Sequence, residues 1–294
     1  MARLFAFGFG YCARALARRL AEEGIASVGT VRDADGSGVV GFGRGRPLPA
    51  GALEGATHLL VSIPPDERGD VVLDEAREAI AAAAPRLAWI GYLSTIGVYG
   101  DAGGGWVDET TPPAPHSDRT KRRVAAETAW LELGRMVNVP AHIFRLAGIY
   151  GPGRSVLDDI RAGTARRIAK PGHAFGRIHV DDIAATLAAS MARPERDIGA
   201  GAVYNVADDE PAEPAAVVEF ACALLGVEPP PAIAFAEANL GPLAASFWAG
   251  SRRVRNDKIK RELGVTLAYP TYREGLRAIS GTRYPNSDSS SRGA

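Results

Sequence analysis

Cysteine is nearly missing from this chain: Cys12 and Cys222 are the two in 294 residues. Two thiols so far apart give no disulfide framework and no metal-ligand spacing, so no metal is expected. That fits a reducing compartment, and the cytoplasm is the expected location. An excess of charge of one sign is also missing, with 34 basic against 34 acidic residues. Bulk electrostatics therefore point to neither nucleic acid nor an anionic membrane as a partner. No apolar run is long enough to span a bilayer. The N-terminus enters a strand-like ARLFAFG without the apolar core and cleavage site of a signal peptide. No internal repeat is found. What remains is the composition of an ordinary globular chain, 46% hydrophobic and 23% charged, long enough for one large or two small domains.

Strand-like and helical patterns alternate through the first half. Leu4–Phe7 is a short apolar run, followed by GFGYCA and then by Ala13, Leu16, Ala17 and Leu20 on one helical face, closed by Gly24. Residues 27–31 form a second strand and Val39–Val40 a weak third. Residues 58–63, HLLVSI, are a buried strand stopped by Pro64 and Pro65. A helix over 70–84, a strand over 88–94, a long helix over 117–136 and a strand in AHIFRLAGIYG follow. This alternation predicts an α/β fold, a Rossmann-type doubly wound parallel sheet. Later come strand then helix in RIHVDDIAATLAAS, a strand in AVYNV and a helix over 214–225. The predicted division is a Rossmann domain over 1–150, rejoined by 174–207, with 151–173 and 208–283 forming a small substrate domain. The polar tail 284–294 is expected to be disordered.

GFGYCA reads G-x-G-x-x-A, with Gly8, Gly10 and Ala13 at the defining positions and Phe9, Tyr11 and Cys12 between them. The motif is weak alone. Here it lies between a strand and an amphipathic helix, the context that gives it meaning. Gly8 permits the tight turn, Gly10 lets the backbone approach a pyrophosphate, and Ala13 allows close helix–strand packing. The helix start then offers free N–H groups and positive dipole to the anion.

The end of the second strand chooses the nucleotide. It reads GTVRD, with Thr30 and Val31 where an acidic residue would grip the ribose, and Arg32 next. A cation there suits a 2′-phosphate, so NADP is favoured. Asp33 keeps NAD possible, and Arg32 has the alternative of being a solvated strand-end residue. Ser62, Ile63 and Pro64 should line the same crevice, since ligands in such sheets lie beyond the carboxyl ends of the strands.

Five further segments carry a resemblance: LSTIGVYG at 93–100, RLAGIYGPGR at 145–154, RIHVDDIA at 177–184, VYNVADDEP, and the terminal KIKRELGVTLAYPTYREGL. In this order they resemble the extended short-chain dehydrogenase/reductases, the NAD(P)-dependent sugar-nucleotide epimerase and dehydratase group, over about residues 3–280. The resemblance implies a substrate bound between a Rossmann domain and a small C-terminal domain. It implies that Leu146 and Ile149 lie beside the cofactor, and that members often dimerise through helices such as 117–136, so the chain is a monomer or a homodimer. It also implies a Ser/Thr at Thr95, beside Ser94, working with Tyr-x-x-x-Lys on the next helix. In HSDRTKRRVAAE those two positions fall on Arg119 and Arg123. The match is therefore to an atypical branch.

An arginine stays protonated, so Arg119 cannot replace the tyrosine as a base, although Arg123 can still donate to a ribose. Tyr99, Tyr92, Ser117, Asp118 and His179 are other candidates for moving a proton. Each has a plainer alternative: core packing for the tyrosines, a helix cap for Ser117 or Asp118, a satisfied structural histidine for His179. Tyr150, Arg154, Arg177 and His179 are the candidate substrate contacts. The basic run Arg154, Arg161, Arg166, Arg167 and Lys170 suits a nucleotide sugar or other phosphorylated compound, or else a salt-bridged surface. Asp181 and Asp182 are expected to cap the helix that follows. The function expected is that of an NADP-dependent oxidoreductase or epimerase with an altered acid–base site. The alternative is a dinucleotide-binding sensor or scaffold without turnover.

Overall fold

The computed structural model describes residues 2–33, 39–193 and 201–281; the expected disordered tail 284–294 lies outside them. The chain begins β1 (Arg3–Phe7), α1 (Tyr11–Glu22), β2 (Ala26–Val31), β3 (Val40–Gly41), β4 (His58–Val61), α2 (Val71–Ala83), β5 (Trp89–Thr95) and β6 (Trp106–Val107). It continues α3 (Asp118–Val137), β7 (Ala141–Leu146), β8 (Gly148–Tyr150), α4 (Val156–Arg161), β9 (Arg167–Ala169), β10 (Arg177–His179) and α5 (Val180–Met191). The remainder is β11 (Ala202–Val206), α6 (Pro214–Leu225), β12 (Ala232–Ala234), α7 (Pro242–Trp248), β13 (Arg253–Val254), α8 (Asp257–Leu263) and α9 (Tyr272–Gly281).

Seven strands form one sheet in the order β11-β7-β5-β4-β1-β2-β3, and every pairing in it is parallel. This is the Rossmann-type doubly wound sheet expected from the alternation. Parallel strands are covered on both faces, and the side-chain period of two divides their residues between two layers. Leu4 and Ala6 pack with Leu16, Leu20, Phe144 and Ile183 on the α1–α5 side. Phe5 and Phe7 pack with Val72, Ile80, Tyr92 and Trp130 on the α2–α3 side. The chain order turns back between β1 and β4, so the crevice opens where Gly8 and Ser62 leave those strands.

Local chemistry sets the ends of the helices. Asp70 caps α2 by accepting from the amides of Val72 and Leu73, both at 3.0 Å, and its other oxygen accepts from Trp130 Nε1 at 2.9 Å. Ser117 and Thr120 form a capping box at the start of α3, which ends on Asn138 in the left-handed region (φ 54). The expected caps Asp181 and Asp182 do not cap α5. His179 does so, its Nδ1 accepting from the amide of Asp181 at 3.2 Å. The buried Asp182 instead turns to the C-terminal segment, where it accepts from the amides of Ala268 (2.7 Å) and Tyr269 (3.1 Å). AHIFRLAGIYG is two strands, with β7 in the main sheet and β8 paired to β10 in a separate ribbon. A third apolar cluster joins Tyr150, Leu157, Val217, Ala221, Tyr272, Leu276 and Ile279 beyond the sheet.

Candidate functional site

The glycine turn is built by three interlocking contacts. The Gly8 amide donates to Thr30 Oγ1 at 2.9 Å, Ser62 Oγ donates to the Gly8 carbonyl at 2.6 Å, and the Phe9 amide donates to the Thr30 carbonyl at 2.7 Å. Gly8 has φ +87, and a Cβ there would sit 2.7 Å from Ser62 Oγ, so only glycine is accommodated without strain. Gly10 differs: a Cβ on it would meet nothing within 4 Å. The space in front of it is open, and α1 behind it carries neither a side-chain cap nor an acidic residue in its first turn. Its first N–H groups face an anion's natural position. A dinucleotide pyrophosphate fits these residues.

A cleft of about 780 Å³ extends from this turn. It is lined by Gly8, Phe9, Gly10, Thr30, Arg32, Ser62, Ile63 and Pro64, eight of the residues expected at the cofactor. Ala13 and Cys12 lie behind it in the core, and burial pushes the Cys12 thiol up to about 11. Tyr11 donates to the Pro152 carbonyl at 2.9 Å and carries Arg154 over its ring, so both side chains tie the turn to the loop after β8. Burial pushes the Tyr11 phenol up to about 12. Leu146 and Ile149 open onto two other cavities.

Two further arginines line the cleft, Arg44 and Arg46. Arg44 is held by Asp66 at 2.6 Å and Asp74 at 2.9 Å. Arg46 donates to the Arg32 carbonyl at 2.9 Å, and its guanidinium lies where Gly41 would carry a Cβ. Sequence reading missed both, because they sit in a Gly- and Pro-rich stretch without periodicity. Spacing from the end of β2 was the available signal.

A smaller cavity of about 70 Å³ lies at the carboxyl ends of β5 and β7. Thr95, His116, Ser117, Arg119, Leu146, Phe175, Phe247 and Arg252 are among its walls. Thr95 Oγ1 accepts from the Gly97 amide at 3.1 Å. Arg119 stacks over Phe247 at 4.7 Å, and burial, with Arg123 nearby, lowers the pKa of its guanidinium from the usual value. Arg252 is buried and donates through Nε to the Gly100 carbonyl at 2.6 Å.

The other expected catalytic side chains point elsewhere. Ser94 Oγ donates to Glu127 at 2.5 Å, and Glu127 is paired with Arg145 at 2.7 Å. Tyr99 accepts from Arg145 at 2.9 Å and donates to Asn205 at 2.8 Å. All five are buried in one network. Arg123 donates to the Leu93 carbonyl (2.6 Å) and Tyr92 Oη (3.1 Å), under β5. Burial raises the phenols of Tyr92, Tyr99 and Tyr150, the opposite of what a base requires.

None of the expected substrate contacts Tyr150, Arg154, Arg177 and His179 lines the smaller cavity. His179 is 1% exposed and packed against Tyr150 and Tyr269. Arg177 donates to the carbonyls of Phe175 and Ala212, and burial lowers its pKa to about 10. In the basic run, Arg167 pairs with Glu219, Arg161 with Asp158, and Arg166 and Lys170 donate to the carbonyls of Ala238 and Trp248. Most of that charge is spent on the protein itself. No group of three potential metal ligands, and no helix long and apolar enough to cross a membrane, occurs among the described residues.

A functionally unknown conserved protein from Silicibacter pomeroyi has a solved structure 49% identical in sequence, with a TM-score of 0.83, covering 95% of this chain and 98% of that one. This chain belongs to the same family as that protein. More distant neighbours share the architecture. A dTDP-glucose 4,6-dehydratase from Bacillus anthracis, solved with NAD, is 16% identical with a TM-score of 0.75, covering 95% of this chain and 96% of its own. A human epimerase family protein solved with NADPH is 16% identical with a TM-score of 0.70, covering 95% and 99%. At that identity the likeness is one of fold, the Rossmann-type fold of NAD-binding epimerases and dehydratases. No protein-family model and no curated protein matches the chain.

Proposed function

We propose that this protein is an NADP-dependent oxidoreductase or epimerase acting on a small molecule, with an acid–base site that does not use tyrosine. The open face of Gly10, at the uncapped start of α1, carries the cofactor part of this reading. The dinucleotide, when bound, supplies hydride transfer. Gly8, Gly10 and the first amides of α1 would hold its pyrophosphate. Arg32, with Arg46 braced against its carbonyl, would meet the 2′-phosphate, and the exposed Asp33 is the feature that leaves NAD possible. Neighbours solved with NAD and with NADPH agree with a nicotinamide dinucleotide without choosing between the two.

Thr95 and His116 line the smaller cavity. An imidazole can both accept and donate a proton through its two ring nitrogens, so His116 takes the proton-transfer role that Arg119 cannot fill. Residues 151–173 and 208–283, of which 282–283 lie outside the described residues, would form the substrate lobe, and a nucleotide sugar or other phosphorylated compound is the substrate class, as for the dTDP-glucose dehydratase neighbour. The second reading, a dinucleotide sensor without turnover, is favoured by the lining of the smaller cavity, which includes no tyrosine among the described residues.

Fluorescence titration with NADPH and NADH tests the cofactor part. Arg32→Ala should weaken NADPH binding about tenfold or more, the worth of a charged hydrogen bond, and leave NADH nearly unchanged. Equal losses for both nucleotides would make Arg32 structural. With NADPH bound, a substrate panel monitored at the nicotinamide absorbance separates enzyme from sensor.

A further inference from the structure

The smaller cavity presents two guanidiniums that form no ion pair among the described residues. Arg119 and Arg252 both line it, and neither takes part in an ion pair among the described residues. The acidic group felt by Arg252 is Asp101, whose Oδ1 already accepts from the amides of Ser251 (2.8 Å) and Gly103 (3.1 Å). Arg119 has a like charge, Arg123, as its electrostatic neighbour and the Phe247 ring beneath it. Arg252 is 8% exposed and commits its Nε to the Gly100 carbonyl. That bond fixes the plane of its fork. A buried arginine is costly unless a charge meets it, and the cavity lies beside both of these.

We propose that this cavity binds the carboxylate of the substrate, clamped between Arg119 and Arg252 with Thr95 at its side. The inference rests on the enzyme reading above, since it places an acid group of the substrate where the proton-relay tyrosine would otherwise stand. Size and shape favour a carboxylate. One water needs roughly 10–15 Å³ of such space, so about 70 Å³ takes a group of a few heavy atoms. Phe175 and Phe247 form flat apolar walls, and a planar anion meets planar guanidinium forks two bonds at a time. Arg119 is then a specificity-determining residue, holding a fixed positive charge at the cavity wall.

Ligand-observed NMR titration of the full chain tests this with L-lactate, its neutral isostere L-lactamide, and inorganic phosphate. Lactate should bind, lactamide at least tenfold more weakly, and phosphate more weakly than lactate. Arg119→Gln should weaken lactate about tenfold or more and Arg119→Lys less, because lysine keeps the charge and loses the fork. NADPH affinity should stay within twofold in both variants. Lactamide binding as well as lactate, or lactate binding unmoved by Arg119→Gln, would overturn the proposal, and phosphate binding tighter than lactate would overturn the carboxylate assignment. Failure of NADPH to bind wild type would sink the cofactor reading alone, because the lactate titration is run without nucleotide.

Discussion

Glu127 and Arg145 decide what two of the expected catalytic residues do. They are 4% and 5% exposed, and their pair supplies the acceptor for Ser94 and the donor for Tyr99. Removing one member of a buried ion pair leaves the other charge unpaired, which costs about 3–5 kcal/mol, whereas replacing both with apolar groups costs much less. Glu127→Leu should therefore lower the unfolding free energy in urea by about 3 kcal/mol or more. Glu127→Leu combined with Arg145→Met should recover most of that loss. If the double variant is as unstable as the sum of the two singles, the pair is not the unit of stabilisation. None of this was legible from sequence. Ser94 stands 33 residues from Glu127, and Tyr99 stands 106 from Asn205, so Ser94 and Tyr99 could be read only beside Thr95, their chain neighbour.

The turn between β1 and α1 was legible because its rules are local. Gly8 and Gly10 lie two residues apart and are constrained for opposite reasons, one by its own backbone and neighbours, the other by a ligand's approach. Gly8→Ala must place a Cβ at φ +87 against Ser62 Oγ and Ile63, so it should destabilise the fold by about 1–3 kcal/mol, read as a lower melting temperature. Gly10→Val puts its side chain into open space with φ −90, so melting should be nearly unchanged while NADPH binding is lost. A Gly10→Val protein that binds NADPH normally would mean that no pyrophosphate crosses that face. The same locality explains a miss at the start of α5. Asp181 and Asp182 look like caps by position, yet His179 reaches the free amide, and Asp182 is drawn to backbone donors at Ala268 and Tyr269, far along the chain.

Across the whole molecule, the sheet order puts both cavities at the carboxyl ends of the strands, and the alternation of strand and helix foretold that edge. Which C-terminal residues reach it was not legible, since Phe247 and Arg252 arrive from segments without a strong period. One contribution to the pH dependence of stability comes from a histidine held neutral inside the fold. Burial lowers His142 to about 4, helped by Arg193 and Lys258, and its Nδ1 bonds Ser190 Oγ at 2.7 Å. Its folded-state pKa lies below the ordinary value near 6.5, so between about pH 6.5 and 4 the unfolded chain binds the extra proton. Stability is therefore lost as pH falls through that window, by up to about 1.4 kcal/mol per unit for this group. Buried carboxyls oppose it. Asp70, Asp182 and Asp208 are raised by burial and shift stability the other way. His142→Gln isolates the histidine, because those carboxyls contribute equally to wild type and variant. Urea unfolding at pH 7, 6 and 5 should show the wild-type advantage over His142→Gln shrinking below pH 6.5. Parallel losses in the two proteins would mean that His142 is charged in the folded state, with its proton accommodated by Ser190 and its neighbours.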